Sequence, residues 1–442
     1  MTRGNTIKYA VISAGAAKAT SALLQFVSLP LAARELGKEE FGVYSMVSLT
    51  IFMFSMLQLG VGPALSRCLA AASAKNRRSR ERHYYISGAV LTILIVSVGA
   101  SLIALGVQFI PTEAIFGDKF FAHRDTLRSA LLLGIFLTAL EIILWHTDGS
   151  FEGYLEAYVM HGALSISNIF GGLIIIFGIQ HFPTIEFLLV AIAIPKIASR
   201  IICTGILWKR RPYLVQKWTT LRLETFKIFL KDGVSFSVTT NLAYIIEVFA
   251  CGLLVGRLLG PEDVAVYNIF ATFTTIFTGL ILMVVRPFWT AAIDAGEKGD
   301  VAWLRSATHK LYLYFGTILA MAGLGLILFG PSAIELLYGK EFVISRSLFA
   351  AHFFFVAMAG LRSLNMYVMM GLGKLHKTVT PIVIGLVPGL ALAWFGLVHY
   401  RLPGMFAGLA LGIAVYPAWK LSKSILDHFS FIKHNAQALK AT

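Results

Sequence analysis

Seven ionisable residues stand inside long apolar runs of this 442-residue sequence. A charge at the centre of a bilayer costs roughly 2.5–3.5 kcal/mol on insertion scales, so each of these residues needs a partner or a function. Cations outnumber acids among them, which favours the passage of an anion, and arginine binds phosphate through two parallel hydrogen bonds. The cations that we predict to line a cavity and bind substrate are Lys18, Lys196, Arg286 and Arg362.

The two acids within these runs have different predicted roles. Glu247 is the candidate ion-coupling carboxylate, because burial favours the protonated form of a carboxyl group and so permits proton exchange. The alternative for Glu247 is a buried ion pair with a cation such as Lys18. Glu141 is predicted to form a structural ion pair with Lys196, which shares a helix face with Arg200. Arg200 and Arg286 lie near the ends of their runs and could instead extend to the lipid headgroups.

One segment of the sequence occurs twice. RELGKEEFGVY at 34–44 recurs as RLLGPEDVAVY at 257–267, with six of eleven positions identical and an offset of 223 residues. Two similar halves are typical of membrane transporters. In each copy a glycine is predicted to end one helix and acidic residues to begin the next. The alternative is that the repeated segment takes a direct part in an outer gate. Pro63 and Pro287, 224 residues apart, are predicted to kink matching helices, either as bending points of a gate or as static bends.

Composition places the chain in a membrane. Hydrophobic residues make up 57% and charged residues 14% of it, with a mean hydropathy of +0.75, whereas soluble domains carry about 25% charged residues. Apolar runs of about 20 residues suit helices that cross the hydrocarbon layer, and barrel strands would alternate instead. We predict an all-α polytopic membrane protein, in which Gly404, Gly408 and Gly412 form a face for close helix packing. The twelve predicted transmembrane helices are 9–33, 41–66, 84–110, 127–148, 157–180, 185–207, 231–256, 264–289, 311–330, 346–372, 378–398 and 403–422.

Lysine and arginine are distributed unevenly between the two sides of these spans. With the amino terminus inside, the inner segments hold 24 of them and the outer segments nine, which predicts that both termini lie in the cytoplasm. Six spans per half make the halves parallel repeats: a lobe over 1–207, a cytoplasmic linker over 208–230 and a lobe over 231–442. The basic string KNRRSRER at 75–82 fits this topology signal, with headgroup contact as a side effect, better than it fits nucleic-acid binding.

Motifs of enzymes and cofactor sites are missing from the sequence. It contains no GxxxxGK[ST], HExxH or CxxC, and its three cysteines are scattered. The longest outer segments, 111–126 and 331–345, are only about 15 residues long, too short for the site of a glycan polymerase or ligase. We predict a protein that is not an enzyme and has no catalytic residues, metal or cofactor.

Three strings resemble a known family. LPLAARELGKEEFGVYSMVSLT at 29–50 and LQLGVGPALSR at 57–67 resemble the opening of bacterial polysaccharide flippases of the O-antigen type. These belong to the multidrug/oligosaccharidyl-lipid/polysaccharide exporter superfamily. LLVGRLLGPEDVAVYNIF at 253–270 is similar to the start of their second lobe. The resemblance implies a V-shaped pair of six-helix bundles around a central cavity, lined mainly by the first two helices of each half.

The resemblance also implies a function. Such flippases move an oligosaccharide linked to undecaprenyl pyrophosphate, an O-antigen or exopolysaccharide repeat unit, from the cytoplasmic to the periplasmic leaflet of the inner membrane. Alternating access, coupled to protons or sodium in relatives, is the implied mechanism. The expected partners are the lipid-linked oligosaccharide, membrane lipids and the polysaccharide polymerase with other biosynthesis proteins, and no nucleic acid. The alternatives are a multidrug or cation antiporter of the same superfamily and a membrane-embedded glycan polymerase or ligase.

Overall fold

The computed structural model describes residues 3–55, 59–216, 221–231, 233–234, 246–297, 300–371 and 376–427. Regular structure in these ranges is helical, without β-strands, because a chain in hydrocarbon must satisfy its backbone polar groups within each segment. The α-helices are α1 (Arg3–Leu36), α2 (Lys38–Phe54), α3 (Val61–Ala74), α4 (Arg78–Phe109), α5 (Thr112–Phe116), α6 (Arg124–Ile143), α7 (Trp145–Gly153), α8 (Ala157–Gly178), α9 (Ile185–Arg210), α10 (223–231), α11 (Cys251–Leu259), α12 (Pro261–Glu297), α13 (Val301–Tyr338), α14 (Arg346–Gly371) and α15 (His376–Ile413). Two π-helical turns lie at Ile246–Ala250 and Ala414–Ala418, and 3-10 helices lie at Asp118–His123 and Pro212–Leu214.

Nine helical segments in the described part of the chain are long and apolar enough to cross a membrane. They are Ile12–Leu36, Arg78–Phe109, Asp118–Gly153, Ala157–Gly178, Ile185–Arg210, Pro261–Ile281, Ala302–Tyr338, Arg346–Met370 and Lys377–Asp427. The chain is therefore a multi-pass helical membrane protein, as the sequence predicts. Residues 232 and 235–245 of the predicted span 231–256 lie outside the described residues, and the predicted spans 378–398 and 403–422 both fall within Lys377–Asp427.

The predicted second span, 41–66, is not one helix. Between α2 and α3, Leu59 and Gly60 have left-handed backbone, with φ of 46° and 69°, through which a right-handed helix does not continue. Pro63 is the third residue of α3, where proline is tolerated because the first N–H groups of a helix have no intrahelical acceptor. The prediction that Pro63 kinks a continuous helix is therefore wrong, because the helix is already interrupted at Leu59 and Gly60.

The two copies of the repeated segment form matching turns. Gly37 follows α1 with φ of 77°, and Gly260 follows α11 with φ of 100°, a region that glycine enters without steric penalty. The acidic pairs Glu39–Glu40 and Glu262–Asp263 stand in the first turns of α2 and α12, where unpaired N–H groups favour negative charge. The predicted helix ends and starts are confirmed, and a part in an outer gate stays a prediction.

The chain forms two compact units. Unit 1 comprises residues 1–245 and 259–265, and unit 2 comprises 246–258 and 266–442. In unit 1, α1 packs along α8, and α3 packs against α4 and α7. In unit 2, α14 packs against α15. The lobes and linker drawn from the sequence remain a prediction, although Phe229, inside that linker, is fully buried in the core of unit 1 beside α3.

Helix α15 consists of two arms that turn back on each other at Arg401, where φ is 54°. Glycines of the second arm approach the backbone of the first so closely that a Cβ atom at any of them would overlap it. The facing pairs are Gly404 with Gly396, Gly408 with Leu392, and Gly412 with Gly389. The small-residue face predicted for the last span is therefore confirmed.

Candidate functional site

A buried ion pair lies in the interior of unit 2. Glu247 is the second residue of the π-helical turn Ile246–Ala250, and Arg362 lies on α14. The Arg362 Nη1 donates to Glu247 Oε1, and Nη2 donates to Oε2 at 2.8 Å. The two side chains are 9% and 5% exposed. The ion pair that the sequence left open for Glu247 thus forms with Arg362. A two-pronged contact of this kind is the strongest geometry available to an arginine and a carboxylate.

The π-helical turn that carries Glu247 is held by a tyrosine of the repeated segment. Widening of the hydrogen-bond ladder in such a turn leaves carbonyl groups in need of donors. The Tyr267 hydroxyl lies 3.0 Å from Glu247 O and 2.8 Å from Val248 O. Tyr267, the last residue of the second repeat copy, therefore positions the backbone from which the Glu247 carboxylate projects.

A second π-helical turn adjoins the same site. On α14, Asn365 follows Arg362 by one turn and donates to Ala418 O at 3.2 Å and to Ser422 Oγ at 2.9 Å. The Tyr312 hydroxyl donates to the side-chain amide oxygen Oδ1 of Asn365. A cavity of about 10 Å³ touches Glu247 and Arg362, room for about one water. The pair is thus held between two interrupted helices with almost no solvent.

The second buried cluster lies in unit 1 and centres on Arg200. Its Nη1 donates to Glu141 Oε1 at 2.8 Å, and its Nη2 and Nε donate to Asp148 at 3.1 and 3.3 Å. The guanidinium also lies 5.6 Å from the Trp145 ring centre, within cation–π range. One cation here faces two carboxylates, so the cluster carries a surplus of acid when both are ionised.

These contacts correct two expectations from the sequence. Glu141 is ion-paired with Arg200 rather than with Lys196. The planar guanidinium of Arg200 can donate to the carboxylates of Glu141 and Asp148 at the same time, which a lysine ammonium does less well. Arg200 is only 5% exposed and does not extend to the headgroups. The sequence reasoning missed Asp148, which lies about two helical turns after Glu141, at the end of the same predicted span 127–148.

The predicted substrate-binding cations lie in different places. Arg362 is held in the ion pair, Lys18 is exposed on α1, and Lys196 is half-buried on α9. Arg286 and Pro287 lie on α12, and their side chains are outside the described residues. A cavity shared by these cations, and a gate at Pro287, stay predictions. Within the described ranges, no three His, Cys, Asp or Glu side chains are placed to share a metal ion.

A further polar cluster joins the ends of α4, α7 and α9 in unit 1. Glu156 accepts from Arg210 at 2.9 Å and from Arg211 at 2.6 Å. Burial raises the pKa of Glu156, but the hydrogen bonds and charges of the two arginines outweigh burial and hold that pKa below its usual range. Glu81 accepts from Tyr213 at 2.6 Å. Burial and the contact with this carboxylate raise the pKa of Tyr213 to about 12.

Known proteins match this chain over most of its length. Residues 9–289 match the family described as Polysaccharide biosynthesis protein. A Yersinia pseudotuberculosis protein with a provisional assignment to O-antigen export is 23% identical over 92% of this chain and 93% of its own.

Solved structures of transporters share the fold. An inward-facing multidrug resistance MATE family transporter of the MOP superfamily matches with a TM-score of 0.74 at 16% identity, over 95% of this chain and 96% of that one. A MOP superfamily transporter from Pyrococcus furiosus, with a binding pocket of reversed polarity, matches with a TM-score of 0.70 at 14% identity, over 98% and 97%.

Proposed function

Because the chain belongs to the polysaccharide biosynthesis protein family, we propose that it is a flippase for an oligosaccharide linked to undecaprenyl pyrophosphate. It moves this O-antigen or exopolysaccharide repeat unit from the cytoplasmic to the periplasmic leaflet of the inner membrane by alternating access. It does so as a transporter and not as an enzyme. It has twelve transmembrane helices in two parallel six-helix repeats, with both termini in the cytoplasm, and it works beside a polysaccharide polymerase.

The observation that carries this proposal is the family match over residues 9–289. The Yersinia pseudotuberculosis protein with a provisional assignment to O-antigen export supports the proposal, because its similarity extends over 92% of this chain. The interior charges are also suited to the cargo. A diphosphate is an anion that needs cations along its path, and Lys18, Lys196, Arg286 and Arg362 are the residues to which we assign that contact.

Coupling to an ion follows from competition for one guanidinium. While Glu247 is ionised, it holds Arg362 through both carboxylate oxygens. A proton or sodium ion that neutralises Glu247 weakens this hold, and Arg362 can then bind a phosphate of the cargo. Loss of the ion restores the pair and displaces the phosphate. Ion binding and cargo binding thereby become coupled through a single residue.

The test is flipping of the lipid-linked oligosaccharide in proteoliposomes under a proton or sodium gradient. The wild-type chain should accelerate flipping, and Glu247→Gln should abolish the response to the gradient while the protein still inserts. Glu341→Gln, at an exposed carboxylate, is the matched control and should behave as wild type. Absence of flipping by the wild-type chain refutes the flippase, whereas an unchanged gradient response in Glu247→Gln refutes only the coupling role.

A multidrug or cation antiporter is the second candidate. It is favoured by the fold shared with the multidrug resistance transporter and by the acid surplus around Arg200, where Glu141 and Asp148 share one cation. Drug efflux from cells that express the chain, without flipping in proteoliposomes, would decide for this candidate. Loss of that efflux in Asp148→Asn would locate it at the cluster.

A further inference from the structure

The turn between α3 and α4 is tightly built and carries closely spaced cations. The amide of Asn76, whose φ is 50°, donates to Ser73 O at 2.9 Å, and the amide of Arg77 donates to Ala72 O at 3.0 Å. These two bonds form a Schellman motif, which closes the end of α3. Arg77 is at the same time the N-cap of α4. The backbone of Lys75 and Arg77 is therefore fixed at the junction of two helices.

A cleft of about 320 Å³ opens beside this turn. Arg67, Lys75, Arg77 and Arg80 line it, and no acidic residue is among the described residues of its wall. Tyr84 forms another part of the wall and packs against the buried core of unit 1. We call this site the basic cleft. Its positive charge is concentrated on a rigid, partly aromatic surface rather than on a flexible tail.

The start of α4 adds hydrogen-bond donors at the same junction. Arg77 makes no side-chain capping bond, and the Arg80 amide is the first of the helix with a described backbone acceptor, Arg77 O at 2.9 Å. The amides of Arg78 and Ser79 precede it, at the positive end of the helix dipole. Such amides stabilise a phosphate group, and they act here together with the four cationic side chains.

A neighbouring cleft of similar size has the opposite charge balance. It measures about 350 Å³ and is lined by Arg210 and Arg211 together with Glu81 and Glu156. Glu156 accepts hydrogen bonds from both arginines, so these cations are already compensated. An external anion would have to displace that carboxylate. In the basic cleft, by contrast, Lys75, Arg77 and Arg80 have no carboxylate beside them among the described residues of the wall.

We propose that the basic cleft binds the phosphate group of a membrane lipid. It lies at the start of α4, one of the apolar spans, and tyrosine is typical of the boundary between hydrocarbon and water. On the predicted topology this boundary is cytoplasmic, where anionic lipids attract basic segments. The phosphate belongs to an anionic glycerophospholipid or to a polyprenyl diphosphate, because both present the same charged oxygens. This binding does not require that the protein transport a polyprenyl-linked cargo.

The experiment measures lipid binding to the full purified chain in neutral detergent. The probes are short-chain phosphatidylglycerol, geranylgeranyl diphosphate and, as the zwitterionic reference, short-chain phosphatidylcholine. Each cation near an anionic surface contributes about fivefold in affinity, so Lys75→Gln with Arg77→Gln should weaken binding of an anionic probe by roughly thirtyfold. Arg222→Gln with Lys227→Gln removes two exposed cations on the same predicted side and should change binding by less than about twofold.

A charge-retaining double variant keeps the test independent of folding. Lys75→Arg with Arg77→Lys should bind within about threefold of wild type, because both positions stay cationic. A selective loss for phosphatidylglycerol assigns the cleft to bulk lipid, and a selective loss for the diphosphate assigns it to a carrier lipid. Equal weakening in the cleft variant and in the control variant, or no weakening in either, overturns the proposal.

Discussion

Replacing Arg362 by methionine should destabilise unit 2 by about 4 kcal/mol. The Glu247 side chain is only 5% exposed, and Arg362 supplies a donor to each of its oxygens. Two unit charges about 4 Å apart attract by about 4 kcal/mol at an effective dielectric constant of 20. Removal of one member of a buried pair costs about 3–5 kcal/mol in measured cases. The adjoining cavity of about 10 Å³ holds about one water, too little to solvate the remaining carboxylate.

A double-mutant cycle tests this reasoning. Glu247→Leu combined with Arg362→Met removes both charges and should recover most of the lost stability, because apolar residues of similar volume replace buried pairs at little cost. The unfolding free energy is measured by SDS titration in mixed micelles. Asp125→Asn, whose pair with Arg124 is exposed, should cost less than about 1 kcal/mol. The reasoning is refuted if Arg362→Met is as stable as wild type, or if the double variant is no more stable than Arg362→Met.

Two further changes test contacts around these sites. Tyr267→Phe removes the donor to Glu247 O and Val248 O and should cost about 1–3 kcal/mol of unfolding free energy. The control Tyr314→Phe, at an exposed position, should cost almost nothing. Equal losses in the two variants would contradict the role of Tyr267 in holding the π-helical turn. Because the pKa of Glu156 is held below its usual range, its stabilising contribution is present above the unfolded pKa of about 4.3 and is lost as pH falls through the lower folded value. Wild type and Glu156→Gln should therefore differ in Tm at neutral pH, and the difference should shrink as the pH falls into the acid range. A difference that grows on acidification would contradict this sign.

Features that depend on a short stretch of sequence could be predicted. The apolar runs become helices because hydrocarbon leaves the backbone no other way to satisfy its polar groups. Gly37 and Gly260 end helices because they adopt positive φ, and the acids after them start the next helices. The spacing of Gly404 and Gly408 correctly predicts a face that meets backbone. Each of these features is decided by residues that are close together in the sequence.

Features that depend on distant partners could not be predicted. The break at Leu59–Gly60 is flanked by apolar residues, so hydropathy continues across it. Nothing in the local pattern says that Glu247 will meet Arg362, which follows it by 115 residues. For Asp148 a signal exists, since it lies in the same predicted span as Glu141. The sequence alone does not distinguish a buried acid that acts in transport from one that pairs with a neighbouring cation, because both roles use the same residue types.

The backbone contacts between the arms of α15 restrict how this part of unit 2 can change shape. Where Gly404 and Gly408 meet the opposite arm, there are no side chains that could repack to let one arm slide or rotate. A displacement of either arm must therefore carry the other with it as one rigid body. In this part of unit 2, bending is therefore confined to the ends of the hairpin. One such end is Ala414–Ala418, where α-helical hydrogen bonding is already interrupted and a change of direction costs least.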